Sequence, residues 1–253
     1  IEAAIDRAAF TSPEVKRKLT DALTQEPLLH AFGAKLDPKP ADMPPAMFHV
    51  GPKVREVKQP SQRLNPLKRA FIASFVAMLT AVGVLISNNM CPVSSPLHPV
   101  RKANTDEDTP IDEQFRMTID LRVINKFTAP WDFPIPRLDE FISMVSGATH
   151  FCTLDLFSGY FQIALHPDCQ EYFSIRTDQG VYTPTRVLQG SRNAASAFQA
   201  AMVDVLGDYI GTICVVYIDD ILIFANKEED LVANIIKIVT RLHQRRFKIS
   251  IKK

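Results

Sequence analysis

The chain has 253 residues, 46% of them hydrophobic and 23% charged, with 9 glycines and 18 prolines. That balance excludes wholesale disorder, a collagen-like fibre and a multipass membrane protein, and the length suits one or two domains. With 29 basic against 28 acidic residues the formal net charge is only +1, so nucleic-acid contacts would have to come from clustered charge. Cys91, Cys152, Cys169 and Cys214 occur without a C-x-x-C pair or a histidine at zinc spacing. This argues against a metal knuckle or a disulfide framework and points to a reducing compartment. The first residues do not read as a signal peptide.

Proline marks the organisation, since Pro167 and Pro184 are the only prolines after Pro136. Residues 1–66 read as a linker or pre-domain region, partly helical or disordered. Ser12 can cap a short helix with Pro13 in its first turn, but Pro38, Pro40, Pro44, Pro45, Pro52 and Pro60 forbid a long element. Ala70–Ile86 is an uncharged, mostly apolar run. It falls short of the roughly 20 residues a membrane span needs, contains Gly83 and ends at Ser87-Asn88-Asn89, so a buried globular helix is favoured over an anchor. Strand-like runs at Pro99–Lys102 and Arg116–Leu121 flank an acidic insert from Asp106 to Glu113, as in a hairpin with a long tip. His150–Leu156 is another short β-like run. Ala194–Leu206 and Asp230–His243 carry apolar residues at helical spacing, and the β-formers between them, Thr212–Ala225, are broken only by Asp219-Asp220. The fold class is α+β.

An apolar hairpin with two acids at its turn is physically odd. Two-residue hairpin turns favour glycine because the backbone must reach positive φ, yet Tyr217-Ile218-Asp219-Asp220 has none. Adjacent carboxylates repel, and a divalent cation would offset that repulsion; the plain alternative is a solvated acidic turn. Asp155 ends a second β-like run. If that run lies beside the hairpin, Asp155 and Asp219 could hold two hard cations about 4 Å apart, the arrangement of two-metal phosphoryl transfer.

Four stretches then carry a resemblance: Phe151–Tyr160 (FCTLDLFSGY), the hairpin VVYIDDILIF, Arg116–Lys126 (RMTIDLRVINK) and Phe133–Glu140 (FPIPRLDE). Together they resemble the reverse transcriptase domain of gypsy-type long-terminal-repeat retrotransposons and their retroviral relatives. The resemblance runs from about Pro66 to Lys253 in that family's motif order. It implies a right-hand polymerase with fingers and palm over 67–253, the palm mainly 143–253 and the fingers mainly 90–142 with part of 170–190. An antiparallel palm sheet would pack on helices, and the chain would stop before a thumb and a ribonuclease H region.

The resemblance further implies an RNA-directed DNA polymerase of a retroelement polyprotein, acting on an RNA or DNA template with its primer and on dNTPs. It implies two Mg2+ ions, with Mn2+ as substitute, and a location in the cytoplasm, virus-like particles or nucleus without a membrane partner. Asp155, Asp219 and Asp220 match the catalytic acids, and the Leu156 carbonyl matches a further metal ligand. Tyr160 matches the aromatic residue under the incoming sugar, and Gln189 a residue on the nucleotide's 3′ side, in a Val187-Leu188-Gln189-Gly190 context closer to the retroviral pattern than to gypsy. Arg116 and Lys102 match the triphosphate-gripping cations, with the acidic insert standing where the family has a short lysine-rich fingertip. Two basic stretches, Lys53–Arg69 and Arg241–Lys253, are candidates for backbone phosphate contact. A relic that binds nucleic acid without catalysis is the competing reading.

Overall fold

The computed structural model describes residues 1–56, 59, 63–103, 105 and 108–250. Asn104, Asp106 and Glu107 of the expected fingertip, Lys58, and Lys252–Lys253 of the basic stretches lie outside the described residues. The chain opens with α1 (Glu2–Asp6) and α2 (Pro13–Thr24), where the Ser12 side chain accepts from the Val15 N–H at 3.4 Å and Pro13 occupies the first turn, as expected. A two-residue strand β1 (Phe32–Gly33) follows. The apolar run forms α3 (Pro66–Ala81); among the described residues no helix is long and apolar enough to cross a membrane.

β2 (Leu85–Ser87), β3 (Ser95–Arg101), α4 (Ile111–Gln114), β4 (Phe115–Ile119), α5 (Arg122–Phe127) and α6 (Leu138–Met144) come next. After them run β5 (His150–Asp155), α7 (Pro167–Gln170), β6 (Ile175–Arg176) and β7 (Val181–Pro184). The chain then forms α8 (Ala194–Leu206), β8 (Cys214–Tyr217), β9 (Asp220–Ala225), α9 (Glu228–Gln244) and β10 (Ile249–Ser250).

These elements make an α+β fold with two main sheets. One is five-stranded in the order β2-β7-β6-β3-β4, and the other is three-stranded in the order β5-β9-β8. The smaller sheet is antiparallel throughout. The larger is mixed, because β3 pairs parallel to β6 while forming an antiparallel hairpin with β4. α8 and α9 cover one face of the small sheet, where Cys214, Ile221 and Ile223 are fully buried. Burial pushes the Cys152 thiol up to about 11 and Cys214 to about 12, so both stay neutral.

Where the proline density of residues 1–66 reads as linker, the described part is packed. Val15, Leu19 and Leu23 repeat every four residues, and this stripe buries α2 on α9. Prolines prevent a helix between Pro38 and Pro52, but the intervening backbone still bonds sideways: Ala41 N–H to the Gln162 carbonyl and Ala46 N–H to the Ala164 carbonyl, both at 2.8 Å. The buried Arg186 guanidinium donates to the carbonyls of Phe161 (3.0 Å), Asp37 (3.4 Å) and Pro38 (2.7 Å). The Arg241–Lys248 stretch is likewise occupied within the fold. Arg241, Arg245, Arg246 and Lys248 pair with Asp208, Asp204, Asp42 and Asp37 at 3.3–4.0 Å.

Glu228, in the first turn of α9, accepts from the Thr11 N–H (2.7 Å), the Thr11 hydroxyl (3.1 Å) and the Ser12 N–H (3.0 Å). These donors, the Thr11 N–H foremost, hold its carboxyl below the usual range. A depressed carboxyl stabilises the fold above its unfolded pKa of ~4.3, and that contribution disappears as the pH falls through the lower folded value. Glu228→Gln is therefore expected to lower the melting temperature at pH 7. Thermal unfolding of both proteins from pH 7 to 3 should show the gap closing at the acid end.

Candidate active site

β5 and β9 pair antiparallel from His150↔Ala225 to Asp155↔Asp220. The last residue of one strand thus stands opposite the first of the other. Directly opposed residues of an antiparallel pair share a face with their Cβ atoms about 4.5–5.5 Å apart, so both carboxylates rise from one side of the sheet. Tyr217 of β8 lies opposite Asp220 and joins that row, half exposed. Like charges so placed repel one another.

Asp219 belongs to the β8–β9 turn, which reaches positive φ without glycine: Ile218 sits at φ 58°. A β-branched residue in the left-handed region costs about 1–2 kcal/mol. The neighbouring helix holds this turn. The Gln199 side chain, 1% exposed on α8, accepts from the Ile218 N–H at 2.8 Å and donates to the Val216 carbonyl at 3.3 Å.

A second tight turn follows Asp155. Ser158 is left-handed at φ 47°, and a single 3-10 turn runs Gly159–Gln162. A Cβ on Gly159 would lie 2.9 Å from Cε2 and Cζ of the fully buried Phe198 and 3.7 Å from the Asp219 Cβ. Only glycine lets this turn approach so closely. Tyr160 packs on the Phe198 ring, with centroids 5.4 Å apart at 60°. Burial first, and the Asp219 charge second, push its phenol above the ordinary value, leaving a neutral hydroxyl beside the acids.

The structure therefore gathers Asp155, Asp219, Asp220 and Tyr160 around two turns that share α8 as their support. Leu156 follows Asp155 with its side chain buried and its backbone bridged to Ile249. Gln189 is exposed in a turn before Gly190 (φ 90°), whose carbonyl accepts from the Asn125 amide at 3.0 Å. Arg116 and Lys102 are exposed on the β3–β4 hairpin of the larger sheet, Arg116 opposite Val100 and Lys102 just past the end of β3. Asp120, from the same motif, is bound by Arg122 at 2.7 and 2.8 Å, and the guanidinium's hydrogen bonds hold its carboxyl below the usual range.

Sequence reasoning passed over Gln199, Phe198 and Gly159. Gln199 did carry a signal: it is a polar residue among the apolar positions of a helix, and buried polar groups are nearly always bonded to something specific.

Among the described residues no group of three or more His, Cys, Asp or Glu side chains is placed so that it could hold a metal ion by itself. The donor set nonetheless suits a hard divalent cation. Mg2+ takes one or two carboxylates and completes its shell with water and substrate phosphates, and two opposed carboxylates at a strand end supply that much.

The model of the family "Reverse transcriptase (RNA-dependent DNA polymerase)" matches residues 100–253. The retrovirus-related Pol polyprotein from transposon gypsy of Drosophila melanogaster is 38% identical over 165 residues, 65% of this chain and 16% of that protein. The enzymatic polyprotein of cauliflower mosaic virus (strain Strasbourg) is 31% identical over 138 residues, 54% of this chain and 20% of the relative. This chain thus spans a small part of such polyproteins. A solved foamy viral protease-reverse transcriptase, in complex with an RNA/DNA hybrid, superposes with a TM-score of 0.81 at 22% identity, over all of this chain and 32% of that one. The family match covers more than half the sequence and includes the strands and turns just described, and by it the chain belongs to the reverse transcriptase (RNA-dependent DNA polymerase) family.

Proposed function

We propose that this chain is the polymerase segment of a retroelement Pol polyprotein, adding deoxynucleoside monophosphates to a primer 3′ end along an RNA or DNA template. The observation that carries the reading is the cross-strand pair Asp155–Asp220 beside the Asp219 turn, in a chain of this family. Asp155, Asp219 and Asp220, with the Leu156 carbonyl, would hold two Mg2+ ions. Bound there, the ions would lower the pKa of the primer hydroxyl and neutralise charge on the reacting phosphate and departing pyrophosphate.

The remaining roles fall to side chains. The Tyr160 ring, fixed on Phe198, would lie under the sugar and leave no room for a 2′-hydroxyl, and Gln189 would meet the 3′ side. Arg116 can grip phosphate oxygens in a bidentate way and Lys102 as a point charge. Template and primer are the expected partners, in keeping with the RNA/DNA hybrid held by the foamy viral relative.

The test is primer extension on a homopolymer RNA template, using a Pol segment that contains this chain and continues past Lys253. Expected are template-directed incorporation of the complementary dNTP, its loss with EDTA and its return with Mg2+. Binding of primer–template without incorporation under any divalent metal would favour the non-catalytic reading.

A further inference from the structure

We infer that Gln199 is a positioning residue that sets the acid-bearing hairpin turn. The inference rests on the proposed function for its meaning, though its geometry stands apart from it. Gln199 is 1% exposed on α8, and its amide spans the turn by accepting from the Ile218 N–H (2.8 Å) and donating to the Val216 carbonyl (3.3 Å). Both partners are main-chain groups on either side of Tyr217, so the bonds fix the course of the backbone rather than a side chain. That backbone is the one that needs fixing, because Ile218 holds φ 58°, where a β-branched residue is unstable without outside support.

Asp219 and Asp220 follow Ile218 directly, so a change in its φ redirects both. The neighbouring residue of the same helix, Phe198, stands against Gly159 and Tyr160. Two successive residues of α8 thus support the turn after Asp155 and the turn before Asp220. One helix braces from beneath the two turns that flank the acids, and Gln199 is the polar half of that support.

The chain itself, with Mn2+ alone as probe, provides the test. Paramagnetic broadening of the Asp155 and Asp220 amide resonances reads metal binding without any need for incorporation. In Gln199→Leu, amide exchange at Ile218 should quicken, and the Mn2+ concentration for half-maximal broadening should rise about tenfold. Adding Ile218→Gly should restore the wild-type Mn2+ midpoint, because glycine adopts positive φ unaided. A structural role alone would lower the melting temperature and leave the midpoint in place. An unchanged midpoint in Gln199→Leu, or a raised midpoint that the double variant does not restore, overturns the inference. Normal Mn2+ behaviour in a Pol segment that incorporates nothing would instead count against the proposed function and leave the positioning role standing.

Discussion

Replacing Asp155 with asparagine is expected to reduce metal-dependent incorporation on the order of a thousandfold, about 4 kcal/mol of transition-state stabilisation. Asp155 and Asp220 are directly opposed across β5 and β9, and the substitution removes one of the two facing charges that would draw a divalent cation to this strand end. Asparagine is nearly isosteric, so packing around the strand end is kept. Asp219→Asn should lose activity similarly. Steady-state primer extension, with thermal unfolding to show that the variants fold, checks the prediction. If Asp155→Asn retains incorporation, the pair is not a metal site.

Gly159→Ala should be the most damaging small substitution near the site. The added methyl would stand 2.9 Å from two ring carbons of Phe198, a ring that is fully buried. Overpacking of this kind costs about 1–3 kcal/mol, and its relief must move either the Phe198 ring or the 3-10 turn carrying Tyr160. Either displacement also shifts the surroundings of Asp219. The expected result is a lower melting temperature together with a fall in kcat of at least about tenfold. Gly159→Ala combined with Phe198→Leu, which opens space where the ring stood, should recover part of the stability. A Gly159→Ala protein with normal stability and normal turnover would show that the close approach of the two turns is dispensable.

The elements of the site were legible because their chemistry is local. A short β-like run ending in Asp155, and a β-rich stretch interrupted by two acids, declare themselves through composition, and the missing glycine at Ile218 already announced a strained turn. The supports were less legible. That Gln199 reaches the Ile218 amide, 19 residues away in sequence, depends on how α8 lies across the sheet, and no periodicity encodes that. The packing of the described part of residues 1–66 escaped for a different reason. Proline density reports the absence of helix faithfully but says nothing of lateral hydrogen bonds, such as those Arg186 makes to the carbonyls of Asp37 and Pro38. The basic run at Arg241–Lys248 likewise hides its acidic partners, which come from distant segments. Exposed pairs like these contribute little stability, but they reduce the positive charge left over for phosphates.

The docking of α2 against α9 has a consequence for biosynthesis. Leu19 and Leu23 leave the ribosome about two hundred residues ahead of the helix that covers them. At ~5–20 residues per second, that leaves a greasy amphipathic segment waiting on the order of 10–40 s for its partner. Throughout that interval the nascent chain offers chaperones a place to bind, and neighbouring nascent chains a place to stick.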